Sequence, residues 1–304
     1  MSKSTKWFLG ILGVFALLAV LFSLLMFSLL SSSSGSDQFE MKTYGSGQKI
    51  AVVEILGEIT SSEEVVRQLK KYKSDSSIKA ILLRIDSPGG GVVASQEIYE
   101  EVKKTRDAGK PVVVSMGSLA ASGGYYIACG ASRLVANPGT LTGSIGVISE
   151  FWEIQGALGK LGIDRETIKS GKLKDAGSPT KVMTDAERKY FQDLIDDVHR
   201  QFVSVVETER HLDHDNVLAL ADGRAFTGEQ AVGLGLVDTI GTYEDAVAIA
   251  ANLAGIHGEP ALVKERKRQS FLDTFLGDMS EQWKGVQHEL LERPVLSYRF
   301  TGGN

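Results

Sequence analysis

Short apolar runs of strand length alternate with helical patterns through most of the chain, beginning at Lys49. The clearest strand is Lys79–Asp86, KAILLRID, whose apolar centre is typical of a parallel strand buried on both faces. A helical pattern follows at Val93–Ala108, and a Thr184–Glu187 capping box opens a longer one that reaches Arg210. Connections between parallel strands are right-handed. The alternation therefore predicts an α/β fold built on a parallel sheet.

The remaining elements follow from the same patterns. Ser61 with Glu64 forms another capping box, which predicts a helix to about Tyr72. Helical spacing also follows Ser122, and Arg224–Asp238 predicts a capped helix with a glycine-rich exit into a strand. Further strands are predicted at Lys49–Ile59, Lys110–Ser118 and Ser132–Pro138.

The first segment predicts a membrane anchor. Trp7–Leu30 carries no charge and is longer than the roughly 20 apolar residues that span a bilayer. The alternative is a cleaved signal peptide, whose apolar region is usually only about 7–15 residues long. Lys3 and Lys6 precede the span, and the next basic residue is Lys42. The positive-inside rule then leaves the N-terminus cytoplasmic and the rest of the chain outside.

The expected organisation has four parts: residues 1–30 as the anchor, 31–48 as a linker, 49–258 as the main domain and 259–304 as a helical tail. The tail begins near Lys264–Arg268, KERKR, a run that is typical of a solvated surface. Its apolar side chains share one helical face, which either packs on the main domain or contacts a neighbouring subunit or membrane. They are Leu272, Phe275, Leu276, Met279, Trp283, Val286 and Leu290.

Composition excludes several classes of protein and site. A net charge of −5 gives no general attraction to nucleic acid. The single cysteine, Cys129, excludes an intramolecular disulfide or a multi-cysteine metal site, and its apolar surroundings predict a buried side chain. His211 and His214, with Asp213 and Asp215, are explained either by a metal cluster or by a solvated helix end. We expect neither a metal nor a cofactor.

Ser122 is the first candidate for chemistry, because its neighbours in SLAASGGYYIACGA are almost free of side-chain bulk. The pattern Ala-x-Ser-x-Gly is one residue removed from the Gly-x-Ser-x-Gly elbow, in which a strained strand-to-helix turn exposes a nucleophilic hydroxyl. The alternative is that small residues permit close packing and that Ser122 is an N-cap. The segment RIDSPGGGV adds to the first interpretation. Its glycines expose backbone N–H groups that can stabilise an oxyanion or bind an extended peptide.

A base for Ser122 is not obvious among the histidines. His199 lies on the predicted long helix, where a surface position explains it more simply than catalysis. Lys169, Lys172 and Lys174 lie together in IKSGKLKDAGSP. A free lysine, with a pKa near 10.4, is protonated at neutral pH, and it becomes a base only where burial lowers that pKa by about 3 units. Ser144, in TLTGSIGV, is a second hydroxyl that could orient such an amine.

Five segments, in order, resemble signal peptide peptidase A, a family of membrane-anchored bacterial serine–lysine proteases whose fold is related to the Clp protease subunit and the crotonases. The resemblance covers about Lys49–Ala250 and implies repeated β-β-α units. The chain is similar to the short, single-copy kind, whose active site forms between subunits of a ring or dome. The segments are SPGGG, MGSLAASGGYYIA, TLTGSIGV, IKSGKLKD and GRAFTGEQAVGLGLVD.

The resemblance implies a role for individual residues. It assigns Ser122 as the nucleophile, Lys174 as the general base, with Lys169 as the alternative, and Ser144 as the hydroxyl that hydrogen-bonds the lysine. The oxyanion donors and substrate strip would come from Gly90 or Gly91 together with Gly123.

We therefore expect a homo-oligomeric serine endopeptidase in the bacterial cytoplasmic membrane, with its catalytic domain on the outer side. Its substrates would be signal peptides left after preprotein processing, and other hydrophobic peptides. One alternative is a crotonase-type acyl-CoA enzyme, although the predicted export argues against an intracellular substrate. The other is a non-catalytic membrane scaffold on the same fold.

Overall fold

The computed structural model describes residues 39–267 and 296–301, together with scattered helical positions between 7 and 23. The chain divides into two compact units, Met1–Lys42 with Glu265–Glu292 and Thr43–Lys264 with Arg293–Asn304. The second unit carries every predicted site residue. Most of the predicted span Trp7–Leu30 and the predicted tail helix lie outside the described residues. Within the described part, no helix is both long and apolar enough to cross a membrane.

The described elements alternate as the sequence predicts, and the fold is α/β. The strands are β1 (Phe39–Tyr44), β2 (Lys49–Leu56), β3 (Ile78–Ser87), β4 (Gly89–Gly91), β5 (Val112–Ala121), β6 (Arg133–Ala136), β7 (Leu141–Gly143), β8 (Ala225–Thr227), β9 (Thr239–Ile240), β10 (Ala261–Lys267) and β11 (Ser297–Arg299). The helices are α1 (Glu63–Ser74), α2 (Val92–Asp107), α3 (Gly123–Cys129), α4 (Gln155–Lys160), α5 (Asp185–Arg210), α6 (His214–Leu220), α7 (Gly228–Gly233) and α8 (Tyr243–Leu253).

A nine-stranded sheet forms the centre, in the order β1-β10-β2-β3-β5-β6-β9, and β7 and β8 extend it beside the end of β5. The pairs β2–β3, β3–β5 and β5–β6 are parallel. Ile81, Leu82 and Leu83 on β3 are fully buried, which confirms the predicted parallel strand covered on both faces.

The two predicted capping boxes have different outcomes. The Thr184–Glu187 capping box opens α5 as expected, with both of its reciprocal hydrogen bonds present. The predicted Ser61–Glu64 box is wrong: α1 begins one residue later, and its N-cap, Ser62, instead hydrogen-bonds the carboxylate of Glu97. The Ser61 hydroxyl accepts a hydrogen bond from the Glu63 N–H at 3.3 Å, and a capping pattern does not distinguish helix starts that differ by one residue.

The charged segment at the start of the predicted helical tail, Lys264–Arg268, was expected to be a solvated surface run, but its first residues form part of a strand. Lys264 lies in β10, which pairs in parallel with β2, and its ammonium lies 2.6 Å from the Glu54 carboxylate. The sequence of β10 is rich in charged residues and is therefore typical of a solvated surface segment. Its strand character depends on pairing with β2, which lies about two hundred residues earlier in the chain. Strand β1 similarly lies in the segment that the sequence analysis assigned to a linker.

A charged cluster fixes α5 against α2, and this contact positions one side of the site described below. The Glu209 carboxylate accepts hydrogen bonds from Tyr99 at 2.7 Å and from Arg106 at 2.7 Å, and it lies 2.9 Å from the Lys103 ammonium. Burial alone would raise the pKa of Glu209, but the hydrogen bonds from Arg106, Lys103 and Tyr99 outweigh it and hold that pKa below its usual range.

Candidate active site

Ser122 occupies a strained turn between a strand and a helix. It follows β5 directly, precedes α3, and has φ 54° and ψ −115°. Its N–H donates to the Gly143 carbonyl at 2.8 Å, and its own carbonyl accepts from Tyr126. Ser122 stands at the N-cap position of α3, as the alternative interpretation predicts, but its hydroxyl makes no capping hydrogen bond. Strand, strained serine and helix together form the elbow in which a nucleophile is presented.

The small neighbours of Ser122 are required by close backbone packing. A Cβ on Gly123 would lie 2.5 Å from the Ser95 hydroxyl oxygen and 3.2 Å from the Cα of Gly89. All of α3 is buried, so nothing on it can move aside into solvent. The small residues next to Ser122 thus allow the backbone at Gly89 to pack directly against the start of α3.

The glycine strip, defined here as β4, has one N–H group that is bonded neither to Ile59 nor to Ser87. The Gly91 N–H donates to the Ile59 carbonyl at 2.8 Å, and the Ile59 N–H donates to the Gly89 carbonyl at 2.8 Å. The Gly89 N–H donates to the Ser87 hydroxyl at 3.1 Å. Gly90 is therefore the member of the strip that can act with Gly123 as an oxyanion donor.

The C-terminal strand β11 lies on this strip. It pairs with β4 in the antiparallel direction, with Tyr298 opposite Gly90. The Phe300 N–H donates to the Pro88 carbonyl at 2.7 Å, and hydrogen-bonded pairs alternate along an antiparallel ladder, so Tyr298 and Gly90 form the next hydrogen-bonded pair. The opposite edge of β11 bonds Ile148 in both directions at 3.0 Å. The chain therefore holds its own extended segment in a groove between two backbone edges.

The Tyr298 carbonyl lies at the glycine strip beside the helix that follows Ser122. A Cβ on Gly89 would be 1.9 Å from the Tyr298 oxygen and 2.6 Å from the Gly123 nitrogen, and a Cβ on Gly123 would be 3.1 Å from the same oxygen. These contacts place one peptide carbonyl where donors from the strip and from the start of α3 converge.

The Tyr298 side chain fills an aromatic pocket. Its ring stacks on Tyr126 at 5.2 Å, packs against Phe202 at 4.8 Å, and its hydroxyl donates to the Val198 carbonyl at 3.2 Å. Tyr298 is fully buried, and desolvation raises its pKa. Tyr298, Ile148 and this pocket were not predicted from the sequence. The one available signal was the short alternating stretch LSYRF, which is typical of a strand.

Ser144 lies close to the Ser122 turn through strand pairing. Ala121, at the end of β5, lies opposite Gly143, at the end of β7. Ser144 follows at once with φ 50°, is 5% exposed, and its N–H donates to the Arg224 carbonyl at 3.0 Å. Two of the three non-glycine residues with positive φ in the described part of the chain are thus Ser122 and Ser144.

The lysine segment is arranged differently from the partly buried base that was expected. The Lys174 side chain is exposed in the single chain, and among the described residues no hydrogen bond joins it to Ser122 or Ser144. The Lys169 ammonium is engaged, since it donates to the Lys172 carbonyl at 3.1 Å and to the Asp175 carboxylate at 2.5 Å. Of these two candidate bases, Lys174 is the one whose amine is free to meet a hydroxyl.

The other candidate groups have local partners. One ring nitrogen of His199 lies 2.9 Å from the Ala221 carbonyl oxygen, and His214 pairs with Glu207 at 2.5 Å. In the ranges 39–267 and 296–301, no three histidine, cysteine or acidic side chains are grouped so that they could hold a metal. Burial raises the pKa of Cys129 to about 12, which keeps this thiol protonated and unreactive.

Comparison with known proteins identifies the family of this chain. The profile of peptidase family S49 matches residues 104–257, and that of the Clp protease matches residues 39–139. A Synechocystis protein named as a protease is 47% identical over 210 residues, which cover 69% of this chain and 76% of that protein. An Enterococcus faecium protein named as a signal peptide peptidase SppA is 36% identical over 240 residues, covering 79% and 70% of the two chains.

A solved structure of a ClpP1 variant from Listeria monocytogenes superposes with a TM-score of 0.45 at 20% identity, covering 64% of this chain and 93% of that one. The family match spans half of the chain, and the relatives extend it over most of the rest. The chain belongs to peptidase family S49 and is a serine-type peptidase of the SppA type.

Proposed function

We propose that this peptidase uses Ser122 as its nucleophile and Lys174 as its general base. The observation that carries the proposal is the strained serine elbow beside a glycine strip that already holds an antiparallel segment with a carbonyl at Gly90 and Gly123. Ser122 Oγ attacks the peptide carbonyl carbon while its proton passes to Lys174 Nζ. The N–H groups of Gly90 and Gly123 stabilise the oxyanion, and Ser144 orients the amine.

The remaining steps return the enzyme to its starting state. The tetrahedral intermediate collapses, the C–N bond breaks, and the leaving amine takes the proton from Lys174. Water then gives a proton to Lys174 Nζ while its oxygen attacks the acyl carbonyl carbon. The ester C–O bond breaks, Lys174 returns the proton to Ser122 Oγ, and the product leaves as a carboxylic acid. Every proton moves between named groups, and no metal or cofactor takes part.

The substrate binds as an extended strand between β4 and the edge at Ile148, as β11 does. This mode satisfies the peptide backbone through main-chain hydrogen bonds and leaves selectivity to side-chain pockets. The pocket formed by Tyr126 and Phe202 would accept a large apolar or aromatic side chain at the position before the cleaved bond.

The base is supplied by a second copy of the chain. Lys174 is exposed, and the segment that carries it, residues 151–182, exposes an unusual number of large apolar side chains. Contiguous exposed apolar surface is typical of a contact between subunits. The most exposed of these side chains are Trp152, Leu161, Ile163, Ile168 and Val182. A homo-oligomer would cover them and bring each lysine toward a neighbour's Ser122.

Anchoring and substrate class complete the proposal. The uncharged run Trp7–Leu30 supports a single span with the catalytic domain outside the cytoplasmic membrane, where cleaved signal peptides remain. A reporter fused after Asn304 is expected to be active only on the outer side, and purified protein is expected to degrade a synthetic signal peptide. Activity of the reporter in the cytoplasm would contradict the proposed topology. If the protein cleaved other peptides but left signal peptides intact, the proposed substrate class would be contradicted.

The dyad is tested with a fluorophosphonate probe on the detergent-solubilised full chain. We expect labelling of the wild type, none of Ser122→Ala, and a loss on the order of 10²-fold or more for Lys174→Ala. Lys172→Ala is the matched control, because it removes an exposed lysine from the same loop and should label normally. Labelling that survives Ser122→Ala would refute the assignment of Ser122 as the nucleophile.

A further inference from the structure

A network of charged side chains holds the loop that carries Lys174. Asp175, the next residue, accepts a hydrogen bond from Lys169 at 2.5 Å, and the same carboxylate oxygen lies 3.0 Å from the Lys181 ammonium. Lys181 also hydrogen-bonds Glu187. One carboxylate thus connects a lysine before Lys174 with a lysine after it.

The network is attached to the loop backbone on one side and to a long helix on the other. Lys169 donates to the Lys172 carbonyl at 3.1 Å, and the Lys174 N–H donates to the Gly171 carbonyl at 3.1 Å. Glu187 is 2% exposed and is the capping-box residue that begins α5. The backbone at Lys174 is therefore connected, through two ion pairs, to a buried residue of the main domain.

The charge state of this network is fixed across the working range of a peptidase. Hydrogen bonds from Lys169, and then from Lys181, lower the pKa of Asp175 to about 2. Asp175 is consequently an anion at any pH above about 4, and its titration contributes nothing to an activity profile measured there. An amine that acts as a base must present a lone pair, whereas the Lys169 ammonium is bound by a carboxylate and a carbonyl oxygen.

We propose that Asp175 is a positioning residue that, through Lys169 and Lys181, holds the Lys174 loop in the conformation that presents its amine to Ser122. The inference rests on the proposed function and deepens it, since it assigns Lys169 to the loop support and excludes it as the base. Isolated surface ion pairs contribute little to stability. Asp175 differs because its side chain is 16% exposed, serves two cations and is linked to a buried glutamate.

The first experiment compares Asp175→Asn with Asp193→Asn in the full-length protein. Asp193 is the matched control, since it pairs with Lys189 at 2.8 Å on the exposed face of α5. Misplacing a catalytic group costs kcat, so we expect Asp175→Asn to lower kcat roughly tenfold or more with KM changed less than about twofold. Thermal unfolding checks that both variants fold. Equal kcat values in the two variants would overturn the proposal.

The second experiment separates a supporting lysine from a basic one. Arginine keeps the ion pair but is never deprotonated in a protein, so Lys169→Arg should retain activity and Lys174→Arg should lose it. Loss in Lys169→Arg with activity in Lys174→Arg would reverse the base assignment and so refute the proposed function. Loss in Lys174→Arg with normal kcat in Asp175→Asn would refute only the positioning role.

Discussion

Gly89 lies where three backbone segments meet: the glycine strip, the start of α3 and the segment held in the groove. Its φ of 99° already favours glycine, and a Cβ there would collide with the Tyr298 oxygen and the Gly123 nitrogen. Neither obstacle is a flexible side chain, so only a displacement of the backbone could relieve the contact. A substitution at Gly89 would therefore displace both of the proposed oxyanion donors, Gly90 and Gly123.

Gly89→Ala should abolish most peptidase activity while the protein remains folded. Removing a single oxyanion donor typically costs about 10²–10³ in kcat, and displacing the strip affects two. Gly109→Ala is the control, because Gly109 also has positive φ, 85°, but has nothing within 4 Å of a Cβ. The control should lose about 1 kcal/mol of unfolding free energy and keep its kcat. Comparable kcat losses in the two variants would show that backbone strain, and not the contact, is responsible.

Strand β11 occupies the same groove that a peptide substrate would need. Its pairing with β4 and Ile148 and the burial of Tyr298 mean that a substrate must displace it or replace it. Competition of this kind raises the apparent KM without changing the chemistry.

A chain ending at residue 295 should therefore cleave an external peptide with a lower KM than the full chain. Tyr298→Ala should have a smaller effect in the same direction, because it empties the aromatic pocket but keeps the backbone pairing. Arg299→Ala is the control, since Arg299 forms only long ion pairs with Glu58 and Glu150 at 3.5 and 3.3 Å. If KM instead rises on truncation, β11 forms part of the substrate-binding site and does not compete with the substrate.

Elements with strong local patterns could be predicted from the sequence, and those that depend on distant partners could not. The long helix α5 begins and ends as predicted, because its capping box and apolar spacing are local. β10 and β11 were missed, since a strand with charged or mixed side chains is defined by the strand it pairs with. The strain at Ser122 could be anticipated from its small neighbours, whereas the positive φ of Ser144 left no mark in the sequence.

At the scale of the whole molecule, the proposed nucleophile and the proposed base lie in different surroundings. Ser122 is 1% exposed inside the main unit, whereas Lys174 lies in an exposed segment that also exposes large apolar side chains. A lysine acts as a base toward serine at neutral pH only where burial lowers its pKa. The segment must therefore be covered before the enzyme can work, and a second copy of the chain is the proposed cover.

Mixing Ser122→Ala with Lys174→Ala should restore activity that neither variant has alone. If each site combines the serine of one copy with the lysine of another, a random 1:1 assembly regenerates an intact pair at about a quarter of the sites. The subunits should be mixed by co-expression, and the rate measured with a peptide substrate beside each variant expressed singly. The double variant Ser122→Ala/Lys174→Ala co-expressed with Lys174→Ala is the control, because no subunit in it then carries the lysine. Absence of recovery in the mixture, with assembly verified, would place both groups in one chain and require the 151–182 segment to fold back onto its own Ser122.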